Sequence, residues 1–121
     1  MLVNLTPHAI TLRTRHGQDT IVPPSGTVAR VATVPGQPIE LPPGTGGWVD
    51  FPVQVYGPDR PGAVTGLPAP APGTYYLVSA IVGASLAGLR PDVLVPGTGP
   101  NDNPVRDDAG RIVAVTCLKM V

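Results

Sequence analysis

The sequence predicts a mainly β fold (β-rich α+β): a single compact sheet or barrel-like domain, residues 1–121, with one short helix. Three observations lead there. The 17 prolines and 15 glycines fall between short runs rich in valine, isoleucine, threonine and tyrosine, as turns fall between strands. Two runs, 75–82 and 111–118, have almost no polar face, which marks central strands covered on both sides. Residues 83–89, Gly-Ala-Ser-Leu-Ala-Gly-Leu, make the one helical stretch, about two turns closed by Gly88 and kept from continuing by Pro91. A chain of 121 residues fits one domain and buries a core without disulfide or metal staples.

The elements follow in order. Residues 8–13 alternate roughly with period two, and residues 15–19 read as a hairpin connection into a strand at 20–22. Residues 27–34 form another run, closed by Pro35-Gly36. A short strand is expected at 39–41 and a longer one at 48–56, where Pro52 suggests a sheet edge or bulge. Residues 57–73 read as loop, stiffened by Pro58, Pro61, Pro68, Pro70 and Pro72. The segment 68–72 has the look of a short polyproline spacer, but it lacks the basic anchor of an SH3 ligand. Asp108-Ala109-Gly110 is a tight-turn signal ahead of the last strand.

Composition excludes several functions. Formal net charge is zero and only 13% of residues are charged, so nucleic acid, which is bound through clustered positive charge, is not an expected partner. No basic amphipathic helix or long apolar span points to a membrane. No signal peptide is visible, and a cytoplasmic location is expected. Neutral charge removes one brake on self-association, so a homo-oligomer, a dimer or larger, is expected. Lys119 is the only lysine among eight basic residues; the arginine bias fits either anion recognition or a GC-rich coding sequence.

An enzyme site is hard to assemble from this chain. Cys117 is the single cysteine; it lies in an apolar run, with no neighbouring base to activate it, and reads as a small buried hydrophobe. His8 and His16 are the only histidines, too few for a zinc site, and no metal or cofactor is expected. Asp107 and Asp108 are adjacent at a turn, where carboxylates are usually solvated. Gly44-Thr45-Gly46-Gly47 lacks the lysine and following helix of a phosphate loop. Asn4, Thr6 and His8 share one face of an extended segment; they fit either a ligand or hydrogen bonds to a neighbouring strand end.

The richest stretch is Val95-Pro96-Gly97-Thr98-Gly99-Pro100-Asn101-Asp102-Asn103-Pro104-Val105-Arg106, continuing to Arg111. Glycines let backbone N–H groups approach a ligand, prolines stiffen the loop, asparagines offer donors and acceptors, and arginines supply a planar fork for phosphate or carboxylate. It reads as a recognition loop on a rigid frame or as a long turn whose Asn and Asp side chains bond their own backbone. The candidate ligand-binding residues are Arg30, Asn101, Asn103, Arg106 and Arg111. Trp48, Tyr56, Tyr75 and Tyr76 offer faces for stacking on a base, or for core packing.

Asn4-Leu5-Thr6-Pro7-His8-Ala9-Ile10, the block from Pro24 to Val31, and residues 95–111 together resemble small proteins of bacteriophages and prophages. With the size and the Arg/Asn inventory, the chain is similar to the first described family of phage Thoeris anti-defence sponge proteins. That resemblance implies a non-enzymatic protein that sequesters a cyclic ADP-ribose-type immune signal and assembles from dimers into larger rings. It also implies a pocket across a subunit interface, with Arg30, Asn101, Arg106 and Arg111 as candidates here. The alternatives are a small β-rich structural or decoration protein of a virion, and a small enzyme with an unrecognised site.

Overall fold

The computed structural model describes residues 1–40 and 53–121. Expected features at 44–47 and 48–52, with Trp48 and Leu41, lie outside the described residues. The fold is β-rich with one short helix, as the punctuated valine and threonine runs imply. Its strands do not gather into one sheet. Among the described residues they form a four-stranded sheet and four two-stranded ribbons.

The four-stranded sheet joins β1 (Leu2–Asn4), β8 (Tyr75–Leu77), β9 (Val93–Pro96) and β12 (Leu118–Met120) in the order β1-β8-β9-β12. β8 is parallel to both neighbours, and β12 runs antiparallel to β9. Parallel neighbours require a crossover, and β8 reaches β9 through the helix α1 (Ala80–Ser85). This corrects the reading of residues 75–82 as one strand. The strand stops at Leu77, and Ser79 takes the N-cap position with its side chain accepting from the Val82 N–H at 3.4 Å. A cap at that position satisfies one of the orphan donors of the first turn. Apolar periodicity over so few residues does not separate a buried strand from a buried helix face. The helix therefore starts three residues before the expected 83, and Gly88, at φ +73°, makes the left-handed step after it.

Leu5, Ala29, Tyr76, Val78, Val82, Leu86 and Val93 form the core cluster. Gly83 is buried on the inner side of α1, where a Cβ would run into Val95 Cγ1 and lie 2.9 Å from Val121 Cγ1. Glycine inside a helix normally costs about 1 kcal/mol relative to alanine, so Gly83→Ala would ordinarily stabilise. Here both neighbours are β-branched and cannot swing aside, and overpacking costs about 1–3 kcal/mol. The expected outcome is a net loss of stability; a urea midpoint at or above the parent's would show that the crossover has slack.

The second expected central strand, 111–118, is also corrected. It divides into β11 (Ile112–Ala114), which among the described residues pairs with β10 (Val105–Arg106) alone, and β12, at the edge of the main sheet. Between them Val115 bridges to Leu12, and the backbone groups of Val115 bond Thr11 and Arg13. Leu12 lies on β2 (Ile10–Arg13), which makes the expected hairpin with β3 (Asp19–Val22) around Gly17, at φ +79°. Residues 111–118 are apolar because their Ala114 and Val115 positions are buried, while Ile112 and Val113 are exposed.

Residues 57–73 are not all loop. They contain β7 (Arg60–Thr65), paired with β4 (Arg30–Val34). Gly62 permits that pairing, since a Cβ there would sit 3.2 Å from Ala32 O and 3.3 Å from Val34 Cγ2. β5 (Pro38–Ile39) pairs with β6 (Val55–Tyr56). Spatial clustering gives two compact units: Met1–Val31 with Val64–Val121, and Ala32–Ala63. The polyproline-like segment is held down within the first: Tyr76 Oη donates to Ala69 O, and Arg90 Nη2 to Pro68 O, while Arg90 pairs with Asp92 at 2.8 Å.

Asn4 and Thr6 are buried and fully engaged. Asn4 Nδ2 donates to the His8 and Val22 carbonyls, and its Oδ1 accepts from the Thr6 N–H and hydroxyl. Of the two roles open to this polar face, the structure gives it the strand-end one. His8 itself is exposed.

Candidate ligand-binding site

β9 delivers the chain into the Gly- and Pro-rich loop. The Gly97 N–H donates to Cys117 O at 3.0 Å. Gly97 is buried, and a Cβ on it would run into Cys117 Sγ. Only glycine lets the base of the loop sit so closely on the 115–117 segment. Residues 99–102 then form a β-turn, with the Asp102 N–H donating to Gly99 O at 3.1 Å. Pro100 occupies the second position, which its fixed φ suits. Asn101 takes the third position, exposed at the apex.

Asp102 closes the turn from inside. Its Oδ2 accepts from the Gly99 N–H at 2.8 Å, and its Oδ1 pairs with Lys119 Nζ at 3.2 Å. The Gly99 N–H, and after it the Lys119 ammonium, hold this carboxyl below its ordinary value. Thr116 Oγ1 donates to the carbonyls of both Asp102 and Asn103, at 2.9 and 3.2 Å. Asn103 lies at φ +49°, the one non-glycine residue in the left-handed region among the described residues. Asparagine tolerates that region better than most side chains. Asn101 and Asn103 are thus presented outward on either side of an inward-turned aspartate.

The chain continues into β10 and the hairpin to β11. Gly110, at φ +80°, completes the turn expected at 108–110. Asp107 Oδ1 accepts from the N–H groups of Ala109 and Arg111, both at 2.9 Å. The register shifts between Val105 and Arg106, so Val113 is the extra residue of a bulge. Arg106 Nη1 donates across the turn to Gly110 O at 2.8 Å. Arg111 is exposed one residue after Gly110.

The structure therefore brings four of the five predicted residues into one continuous loop and hairpin: Asn101, Asn103, Arg106 and Arg111. Arg30 is exposed on β4, and among the described residues no hydrogen bond or ion pair joins it to that hairpin. Among the described residues Arg15 and Arg60, like Arg30, form no ion pair, and two other arginines do. Arg13 pairs with Asp19 and Arg90 with Asp92, and in each case the shared hydrogen bond raises the guanidinium and lowers the carboxyl. Arg106 and Arg111 form no ion pair among the described residues, although Asp107 and Asp108 lie between them. Asp107 is turned instead to the backbone.

Among the aromatic candidates, Tyr76 is buried in the core, while Tyr56 and Tyr75 are exposed. Cys117 is only partly buried, with its thiol 3.9 Å from Asp102 O. Asp102, Thr116 and Lys119 were not among the residues the sequence pointed to; the one signal, for Asp102 alone, was the tendency of Asp in a turn to bond nearby backbone. Among the described residues no group of three or more His, Cys, Asp or Glu side chains is placed to hold a metal ion, and no helix is long and apolar enough to cross a membrane. No family model, curated protein or solved structure matches this chain.

Proposed function

We propose that the protein is a non-catalytic binder of a small, anionic, nucleotide-derived signal, a cyclic ADP-ribose-type molecule that it sequesters in the cytoplasm of an infected host cell. One observation carries this reading. Arg106 and Arg111 flank a single fixed turn with no carboxylate partner among the described residues, beside a loop that presents two asparagines. Guanidinium forks without a carboxylate partner suit the oxygens of a pyrophosphate, and asparagine suits a ribose or base edge. The resemblance to the Thoeris anti-defence sponges supplies the class of ligand. Assembly belongs to the same proposal: Ile81 on α1 and Leu89, four residues after its end, are 73% and 70% exposed, and exposed apolar groups of this kind suit a contact with a second copy.

The virion-protein reading draws its support from Arg13 and Arg90, which do have carboxylate partners, as scattered surface arginines would. One experiment separates the two. Protein purified from cells producing the signal is heated, and the released small molecules are weighed by mass spectrometry, with light scattering of the unheated sample alongside. A nucleotide-derived mass from an oligomer supports the proposal. An empty protein that stays a 12.4 kDa monomer at high concentration overturns it.

A further inference from the structure

One residue contacts more of the loop and its frame than any of the outward-facing candidates. Asp102 bonds the turn twice, through its N–H to Gly99 O and its Oδ2 from the Gly99 N–H. Its Oδ1 reaches Lys119 on β12, the edge of the main sheet. Its own carbonyl accepts from Thr116 Oγ1 and lies 3.9 Å from Cys117 Sγ. Its side chain is only 12% exposed, whereas Lys119, its partner, is 57% exposed. Two separate stretches of chain therefore meet on one carboxylate and one carbonyl: the 99–102 turn, and residues 116–119, which lead from the Thr116 hydroxyl into β12.

We propose that Asp102 is the positioning residue of the recognition loop: it fastens the 97–103 segment to β12 and so holds Asn101 and Asn103 in the outward arrangement that the ligand meets. It does not touch the ligand itself. The consequence for binding rests on the function proposed above; the fastening does not. A loop ordered before the ligand arrives loses less conformational freedom on binding. The Asn103 backbone, held in the left-handed region, needs that restraint, because an unrestrained chain gives up such a conformation. The Gly97 seat on Cys117 fixes the near end of the segment, and Asp102 with Thr116 fixes the far end.

The test uses the full chain with Asp102→Ala, Asp102→Asn and Lys119→Ala. Amide hydrogen exchange read by NMR reports the loop without any ligand. In Asp102→Ala the Gly99 amide is expected to exchange at least tenfold faster, while the Tyr76 and Val78 amides of the sheet keep the parent's rates. Asp102→Asn retains an oxygen for the Gly99 N–H and is expected to restore most of that protection. Lys119→Ala removes only the tie to β12 and is expected to fall between them. Affinity for a panel of cyclic ADP-ribose isomers is measured on the same variants, and at least a fivefold loss is expected in Asp102→Ala, recovered in Asp102→Asn.

If Asp102→Ala leaves the Gly99 amide as protected as in the parent, the fastening is wrong. If the amide loosens and the affinity for a bound isomer does not change, the positioning role is wrong. If the parent binds none of the isomers, the proposed function falls while the exchange rates still decide the fastening. Should Asp102→Ala fail to fold, Lys119→Ala carries the comparison, and protection of Gly99 equal to the parent's in that variant overturns the tie to β12.

Discussion

Leu5→Ala lowers the free energy of unfolding by about 3 kcal/mol, within the range of about 2–5 kcal/mol seen when a buried leucine is truncated. Leu5 is 1% exposed and belongs to the core cluster with Tyr76, Val78, Val82 and Val93. Its backbone bonds Leu77 O on one side and the Ala29 N–H on the other, so the surrounding strands cannot collapse freely into the space its side chain leaves. Small domains have about 5–15 kcal/mol of stability in all. Urea unfolding followed by far-ultraviolet circular dichroism reads the loss, with Ile21→Ala as the exposed control, expected within about 0.5 kcal/mol of the parent. A Leu5→Ala midpoint no lower than that control would mean that this core is not what holds the sheet and helix together.

Arg111→Ala weakens binding of a cyclic ADP-ribose isomer by at least tenfold, or about 1.4 kcal/mol, and leaves the urea midpoint of the free protein nearly unchanged. The asymmetry follows from the hairpin. The backbone N–H of Arg111 is what Asp107 holds, and alanine keeps that N–H. The guanidinium has no partner among the described residues to lose, so its removal is felt only when an anion is present. Arg106 differs, because its guanidinium caps Gly110 O; Arg106→Ala is expected to cost both affinity and some order in the turn. Calorimetric titration of the two variants distinguishes these roles. An Arg111→Ala protein that unfolds early would make Arg111 a framework residue, and one that binds as tightly as the parent would place the pocket elsewhere.

How much of this was legible in the sequence depends on whether the signal was local. The hairpins at Gly17 and Gly110 could be read because a few adjacent residues fix them: turn residues that accept positive φ between alternating strands. The crossover helix was misplaced because Ala80, Ile81 and Val82 suit a buried strand as well as one face of a helix, and the deciding feature, the cap at Ser79, is a single side chain. β7 was hidden by Pro61 and Gly62, residues that read as loop; they are tolerated there because, among the described residues, β7 has one partner strand, β4. In the candidate site, the outward residues were legible from their chemistry. The inward Asp102 was not, because Thr116 and Lys119, which give it meaning, stand 14 and 17 positions away.

The register that sets Leu2 opposite Tyr75 also bears on how the molecule comes to exist. β1 cannot pair until the chain as far as Leu77 has been made, and closing a loop of that length costs about 4 kcal/mol in chain entropy before any contact repays it. β9 and β12 add their strands later still. During synthesis the amino-terminal segment with Leu5 therefore waits without its partners in the sheet, and the main sheet forms late, in a step limited by the search for distant strands. A nascent chain of this kind spends its vulnerable interval near the ribosome with apolar surface showing, where encounters with neighbouring copies compete with folding.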